Sequence, residues 1–174
     1  MIRRFAKGTI RAAALLAAAA ALSACVQGVA PMTCEETRTG VLDMSALSDA
    51  ANAEFLKNYD AQPGVVKTAS GLRYRVLASG KGAQPAATAR VRAHYQGTLI
   101  DCTVFDSSYA RNEPAVFPVN RLIPGWVEAL QLMHEGDVWE LVLPSNLAYG
   151  EQGAGADIPP RQTLIFKLEL LQVM

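Results

Sequence analysis

The sequence predicts an α+β fold: an antiparallel β-sheet wrapped around one short α-helix, with a short helical extension at the N-terminal side. Three observations predict it. Apolar residues recur every four positions across residues 45–59, the spacing of an amphipathic helix. Beyond Gly71, short segments alternate between apolar and polar residues and are separated by turn residues, which is the pattern of strands. A single segment opened by Pro124 interrupts the alternation with helical spacing. Successive strands broken by one helix, without regular strand–helix alternation, indicate an antiparallel sheet.

Taken in order, residues 1–24 read as a signal peptide and not as part of the fold. Arg3, Arg4, Lys7 and Arg11 form a basic flank, Ala12 to Leu22 an uncharged apolar stretch, and Leu22-Ser23-Ala24-Cys25 its end. The stretch is shorter than the ~20 residues a bilayer span requires, and basic flank, apolar core and small residues are the parts of a secretory signal. Leu-Ser-Ala-Cys resembles a bacterial lipobox, which implies cleavage before Cys25 and acylation of that residue; the alternative is an ordinary signal cut nearby. Residues 25–44 show no sustained apolar period and read as a tether.

Charge and cysteine content are best counted after that cleavage. Residues 1–24 hold four of the sixteen basic residues and no acid, leaving twelve basic against sixteen acidic residues and a formal charge of −4. An acidic chain without a basic patch is a poor candidate for nucleic acid, whose affinity comes largely from Lys and Arg on phosphates. Of three cysteines, acylation of Cys25 leaves Cys34 and Cys102. A secretory destination permits a bridge between them; the other reading is two separate free thiols.

Residues 45–70 form the helical extension and linker. Leu47, Ala51, Phe55 and Tyr59 share a stripe that Leu56 widens, Ser45 or Ser48 can cap it, and Pro63-Gly64 stops it. Such a stripe either packs on its own domain, the preferred reading, or docks a partner or second copy.

Residues 71–174 carry the strands. Leu72 to Leu77 alternates until Ser79-Gly80-Lys81-Gly82 breaks it. From Ala89 to Ile100 the alternation is nearly strict: Val91, Ala93, Tyr95, Gly97 and Leu99 face the core, while Arg90, Arg92, His94, Gln96 and Thr98 face water. Pro124 suits a first helical turn, Trp126, Leu130 and Met133 share a face, and His134-Glu135-Gly136-Asp137 ends that helix. Val138 to Leu143 and Thr163 to Val173 are strands, the latter with Leu164, Phe166, Leu168 and Leu170 on one face, and a Gly-rich loop from Pro144 to Gln162 joins them.

Catalytic constellations with covalent or metal chemistry are not apparent. His94 and His134 are the only histidines, and neither has a second ligand at metal spacing. Ser107, His94 and Asp106 offer a triad in composition only, because Asp106 and Ser107 are adjacent and no oxyanion loop is recognisable. Gly150, Gly153 and Gly155 lack the Lys-Ser and the strand–helix turn of a phosphate cradle. What remains is a set of aromatic and polar residues from separate segments: Tyr95, Phe105, Asp106, Trp126, Tyr149 and Phe166. They describe either a small apolar pocket with a few polar handles or a plain aromatic core.

At these residues the sequence resembles a known family. Val91-Arg92-Ala93-His94-Tyr95-Gln96-Gly97-Thr98-Leu99 and Phe105-Asp106-Ser107-Ser108 resemble the two signatures of the FKBP-type peptidyl-prolyl isomerases. Ile123-Pro124-Gly125-Trp126, Leu147-Ala148-Tyr149-Gly150, Ile158-Pro159-Pro160 and Leu164-Ile165-Phe166 follow in that family's order and spacing. The helical extension and Gln62-Pro63-Gly64-Val65-Val66 are similar to its Mip/FkpA-type bacterial envelope branch. The resemblance implies an FKBP-like fold and a prolyl site in which Tyr95, Asp106, Trp126 and Tyr149 are the catalytic set. Trp126 is its floor, Phe105, Phe117, Leu122, Ile123 and Phe166 its walls, and Ile158 a backbone contact at the rim. It further implies catalysis of X–Pro rotation by desolvation and transition-state fit, without a cofactor, on proline-containing segments of envelope or secreted proteins. FK506-like macrolides are implied as ligands; the alternative is a non-catalytic proline-binding module or chaperone.

Three positions depart from the family's pattern. Asp101-Cys102 stands where Asp-Gly is common, and cysteine fits a positive-φ position poorly, so a different turn is expected there. Ala115 replaces an aromatic wall residue, and Ala154 lacks a loop side chain, which implies a more open pocket. Val26 after Cys25 is not the aspartate associated with inner-membrane retention, which points to the outer membrane, facing the periplasm.

Overall fold

A computed structural model describes residues 47–174. Its first element is α1 (Asp49–Asp60), capped by Ser48, whose hydroxyl accepts from the Ala51 N–H at 3.2 Å; Ser45 lies outside the described residues, as do Cys25, Cys34 and the whole of segment 1–24. The strands are β1 (Val66–Lys67), β2 (Arg73–Ala78), β3 (Arg90–Thr98), β4 (Val104–Ser107), β5 (Ala115–Pro118), β6 (Val138–Leu143) and β7 (Leu164–Val173), with α2 (Pro124–Leu130) between β5 and β6. All pair antiparallel in the order β1-β2-β6-β7-β3-β4, and β5 adds to the first half of β3 while β4 takes its second half.

The expected α+β architecture is what forms. The inner face of the sheet closes over α2, whose Trp126, Ala129 and Leu130 are buried with Leu141, Leu143, Leu164, Phe166, Leu168 and Leu170 from the two central strands. α2 is shorter than its sequence pattern: it ends at Leu130, and Met133 is buried from the turns that follow. β5 has no counterpart in the sequence pattern, since four residues ending in proline leave no alternation to detect.

The outer face differs from the expected wet surface. On β3, Arg92 is exposed and Gln96 half-buried, but Thr98 is 6 % exposed and Ile100 wholly buried. The reason is α1, which lays Phe55 and Tyr59 over Ile100, Val142 and Ile165 in a second core. The apolar stripe therefore packs on its own domain. Removing the segment before residue 71 would strip the cover from that face.

Polar groups under the helix are paired. Glu140, 1 % exposed on β6, accepts from the Tyr59 hydroxyl at 2.8 Å and from Arg75 at 2.9 Å. Asn52 donates to Gln162 at 3.2 Å and accepts from the Thr163 N–H at 2.7 Å, fastening α1 to the start of β7. At the helix end, Asp60 receives both Nε and Nη2 of buried Arg73, at 2.7 and 3.1 Å, and Lys67 at 3.0 Å.

The Arg73 hydrogen bond, opposed by burial and aided by Lys67, holds the Asp60 carboxyl below its usual range. A depressed folded pKa gives stability that is complete above the unfolded value, about 3.9, and lost as pH falls through the folded one. Asp60→Asn is therefore expected to lower stability by about 1–2 kcal/mol near neutrality. Urea unfolding from pH 7 downward should show that gap constant above about pH 5 and closing below about pH 4.

Candidate functional site

At the edge of the inner core, the sheet and α2 leave a cleft of about 330 Å³ lined by Tyr95, Phe105, Asp106, Phe117, Arg121, Leu122, Ile123, Trp126, Tyr149 and Phe166. Pro124 opens α2 and sets the helix so that Trp126 lies at the base of the cleft. Gly125 lets the helix start sit on β6, because a Cβ there would lie 2.5 Å from Leu143. Trp126 is 4 % exposed and meets Tyr95, Phe117 and Phe166 edge-on, with ring centroids 5.4, 5.8 and 5.2 Å away. Edge-to-face contacts of this kind favour a fixed arrangement of rings.

Each wall is placed by its strand. Tyr95 points inward from β3, as the alternation predicts, and the buried hydroxyl of Ser108 accepts its N–H at 2.7 Å. Gly97 pairs with Phe166 of β7, and a Cβ at Gly97 would lie 2.4 Å from Phe105 and 2.8 Å from Phe166. Glycine at this point is what lets Phe105 fold over the strand against Phe166, centroids 5.6 Å apart.

The polar end of the cleft is a three-member cluster. The Tyr95 hydroxyl donates to Oδ2 of Asp106, Nη1 of Arg111 donates to Oδ1, and Nη2 of Arg111 reaches the Tyr95 oxygen at 3.0 Å. Burial pushes the Asp106 carboxyl up, but hydrogen bonds from Tyr95 and Arg111 outweigh it and hold the group low. Burial, then the bond to Asp106, raises the Tyr95 phenol; burial, then the Asp106 charge, raises Tyr149. At neutral pH both phenols are donors beside a neutralised carboxylate. Tyr149 is 41 % exposed on the lip.

Nine of the ten residues expected to form the prolyl site line this cleft; Ile158 does not. It is 7 % exposed, and its N–H and C=O are both used on Ala154, at 3.1 and 2.9 Å. Neither Ala154 nor Ala115 lines the cleft, and Phe117, two residues beyond Ala115, is one of its walls. Arg111 and Arg121 are additions. Nothing local in the sequence marks Arg111, which is brought to Asp106 by the turn Tyr109–Asn112, where Asn112 has φ 51°.

His94 sits on the outer face, away from the cleft, but it is half-buried: its ring stacks on Tyr109 at 4.7 Å and Nδ1 lies 2.9 Å from the Ser108 hydroxyl. Cys102 keeps the positive-φ turn at φ 75°, against the expectation of a different one, and it is disulfide-bonded to a partner outside the described residues.

No Ser, Thr, Cys, Lys or His lines the cleft. A slot walled by aromatic rings, with donors at one end, has the chemistry to accept a small apolar ring beside a hydrogen-bond acceptor. That is the class of an amide-recognising binding site, without a covalent nucleophile. Comparison with known proteins makes the assignment specific: the chain belongs to the FKBP-type peptidyl-prolyl cis-trans isomerases. The family of that description matches residues 81–171, and the domain described as amino terminal to it matches residues 15–76.

Among relatives, the FKBP-type 22 kDa peptidyl-prolyl cis-trans isomerase of Escherichia coli is 58% identical over 125 residues, 72% of this chain and 61% of the relative. Outer membrane protein MIP of Legionella longbeachae is 48% identical over 119 residues, 68% of this chain and 51% of the relative. The solved structure of FkpA from Escherichia coli is similar at TM-score 0.69 and 42% identity, over 72% of this chain and 58% of that one. An isomerase structure from Pseudomonas syringae is similar at TM-score 0.68 and 39% identity, over 78% of this chain and 98% of that one. The chain thus spans between half and three-fifths of the length of these two relatives.

Gly97→Ala tests the wall. The added methyl forces Phe105 outward, and overpacking of this kind costs about 1–3 kcal/mol. Urea unfolding should show a loss in that range, and ring-current-shifted signals of Phe105 and Phe166 should move.

Proposed function

We propose that the chain accelerates cis–trans exchange of X–Pro bonds in envelope or secreted polypeptides, from a lipid anchor at Cys25. The observation that carries the catalytic part is the cleft itself, an aromatic slot floored by Trp126 with the Tyr149 phenol at its lip. Rotation about X–Pro is opposed by ~18–20 kcal/mol because the amide is conjugated. Twisting removes that conjugation and makes the carbonyl less polar. An apolar slot disfavours the planar, more polar ground state and fits the twisted form better. The proline ring rests on Trp126 between Phe105, Phe117, Leu122, Ile123 and Phe166, while Tyr149 donates to a substrate carbonyl. The Asp106–Arg111–Tyr95 cluster presents fixed dipoles that need no rearrangement as the bond turns. Lowering the barrier by ~5–6 kcal/mol in this way gives about four decades of rate.

The presence of Tyr95, Asp106, Trp126 and Tyr149 together in the cleft supports catalysis over simple holding of proline segments. FK506-like macrolides, which present a ring and carbonyls to such a slot, are proposed as competing ligands. An outer-membrane location facing the periplasm is supported by the Leu-Ser-Ala-Cys-Val sequence and by the name of the Legionella relative, Outer membrane protein MIP. The disulfide at Cys102 supports pairing with Cys34, which would tie the tether to the β3–β4 turn three residues before Phe105.

Two measurements test this reading. In a protease-free X–Pro assay with the full chain, acceleration that FK506 suppresses is expected. Trp126→Ala should lose at least about tenfold in kcat/KM, that is ~1.4 kcal/mol of transition-state binding, together with macrolide affinity, while His94→Ala on the other face retains most activity. Absence of acceleration by the unmodified chain would overturn the catalytic reading. Mass spectrometry of protein purified from membranes without reduction should find an acylated N-terminal Cys25 and a Cys34–Cys102 linked peptide; a free Cys102 thiol would refute the pairing.

A further inference from the structure

We propose that Arg121 selects, among X–Pro segments, those that carry a carboxylate within a residue or two of the proline. The inference rests on the isomerase reading and names a substrate class for it. Arg121 lines the cleft and is exposed. It closes the 3₁₀ turn Val119–Arg121, which leads directly into Leu122 and Ile123 of the wall. That turn is anchored: Val119 is wholly buried and its N–H donates to Ala89 at 3.0 Å, while the Leu122 N–H donates back to Val119 at 3.3 Å. The backbone that carries the cation is thus anchored at the rim.

Among the described residues its charge is uncompensated. Arg73, Arg75, Arg111 and Arg161 each face a carboxylate at ion-pair distance, whereas Arg121, like Arg90 and Arg92 of β3, has no side-chain hydrogen-bond or ion-pair partner among the described residues, and of these three it alone lines the cleft. Asp106, the only carboxylate of the cleft lining, is already matched by Arg111. Glu151, two residues beyond Tyr149, lies 3.9 Å from Arg161. With Asp106 and Arg111 cancelling, the cleft and its polar cluster present one net positive charge beside an apolar slot. A proline seated on Trp126 brings its flanking residues to that rim, and an extended chain advances only ~3.3–3.6 Å per residue. A planar guanidinium with five donors suits a carboxylate better than it suits a neutral side chain.

The test compares kcat/KM for peptides with Glu, Leu or Lys immediately before the proline, and for a second set with the same residues immediately after it. At low ionic strength the full chain should favour Glu over Lys by about two- to five-fold in at least one set, the factor exposed ion pairs supply. That ratio should approach one at about 1 M salt, where the Debye length is ~3 Å. Arg121→Gln should bring the ratio near one, and Arg121→Glu should invert it; because a ratio is read, the fraction of active protein cancels. A Glu-to-Lys ratio that is near one in the unmodified chain, or that persists in Arg121→Glu, overturns the inference while leaving the isomerase reading intact. Acceleration of none of the six peptides overturns the isomerase reading itself.

Discussion

The position of Trp126 is the constraint on which the rest of the structure depends. The residue belongs to two environments at once: it is buried in the main core, and its ring is the base of the cleft. Three other aromatic rings meet it edge-on from β3, β5 and β7. An aromatic side chain buries on the order of 150–250 Å², so the packing that stabilises the fold is also the packing that shapes the site. The cleft is a place where the core remains unfilled on one side of the indole. Its rigidity follows from the neighbours that keep the ring still, including Gly125 against Leu143.

That arrangement requires a sheet firm on both faces. The inner face is held by α2, and the outer face near Ile100, Val142 and Ile165 by α1. β6 has no exposed residue, and its one acid, Glu140, is covered by the helix and receives Tyr59 and Arg75. A buried carboxylate without partners would be costly; paired in this way it fixes where α1 lies. The helical extension is therefore part of the fold, as the apolar stripe of its sequence leads one to expect. The match of the amino-terminal domain family across residues 15–76 agrees with that.

How much was legible in the sequence follows from the range of each interaction. Tyr95 could be placed because strict alternation from Val91 to Leu99 is a local property of a strand with one dry face. The same rule failed at the end of the strand, where Thr98 is buried and the neighbouring Ile100 and Ile165 are covered by Phe55 and Tyr59, residues about forty positions earlier in the chain than Thr98. β5 escaped because its existence depends on pairing with β3, not on its own four residues. Arg111 escaped because a single arginine in a turn reads the same whether solvated or paired; only the fold brings it to Asp106. Cys102 was readable as an awkward residue for its turn, yet the turn kept its positive φ, so the local preference was overridden and not accommodated.

The polar end of the cleft shows why a site without a nucleophile needs charged residues at all. Asp106 would be a poor neighbour for a twisting amide if it stood alone, since an unpaired carboxylate draws water into the slot. Matched by Arg111 and Tyr95, it orients a phenol and a guanidinium while adding no net charge. The slot then stays apolar along the aromatic walls and polar only at its end. For the proposed reaction, that division would supply loss of solvation on one side of the turning bond and a steady donor on the other. Arg121 stands outside this neutral set. It lines the rim without joining the aromatic rings or the Tyr95–Asp106–Arg111 cluster. The aromatic walls thus set the shape of the slot, and Arg121 sets the charge of its rim.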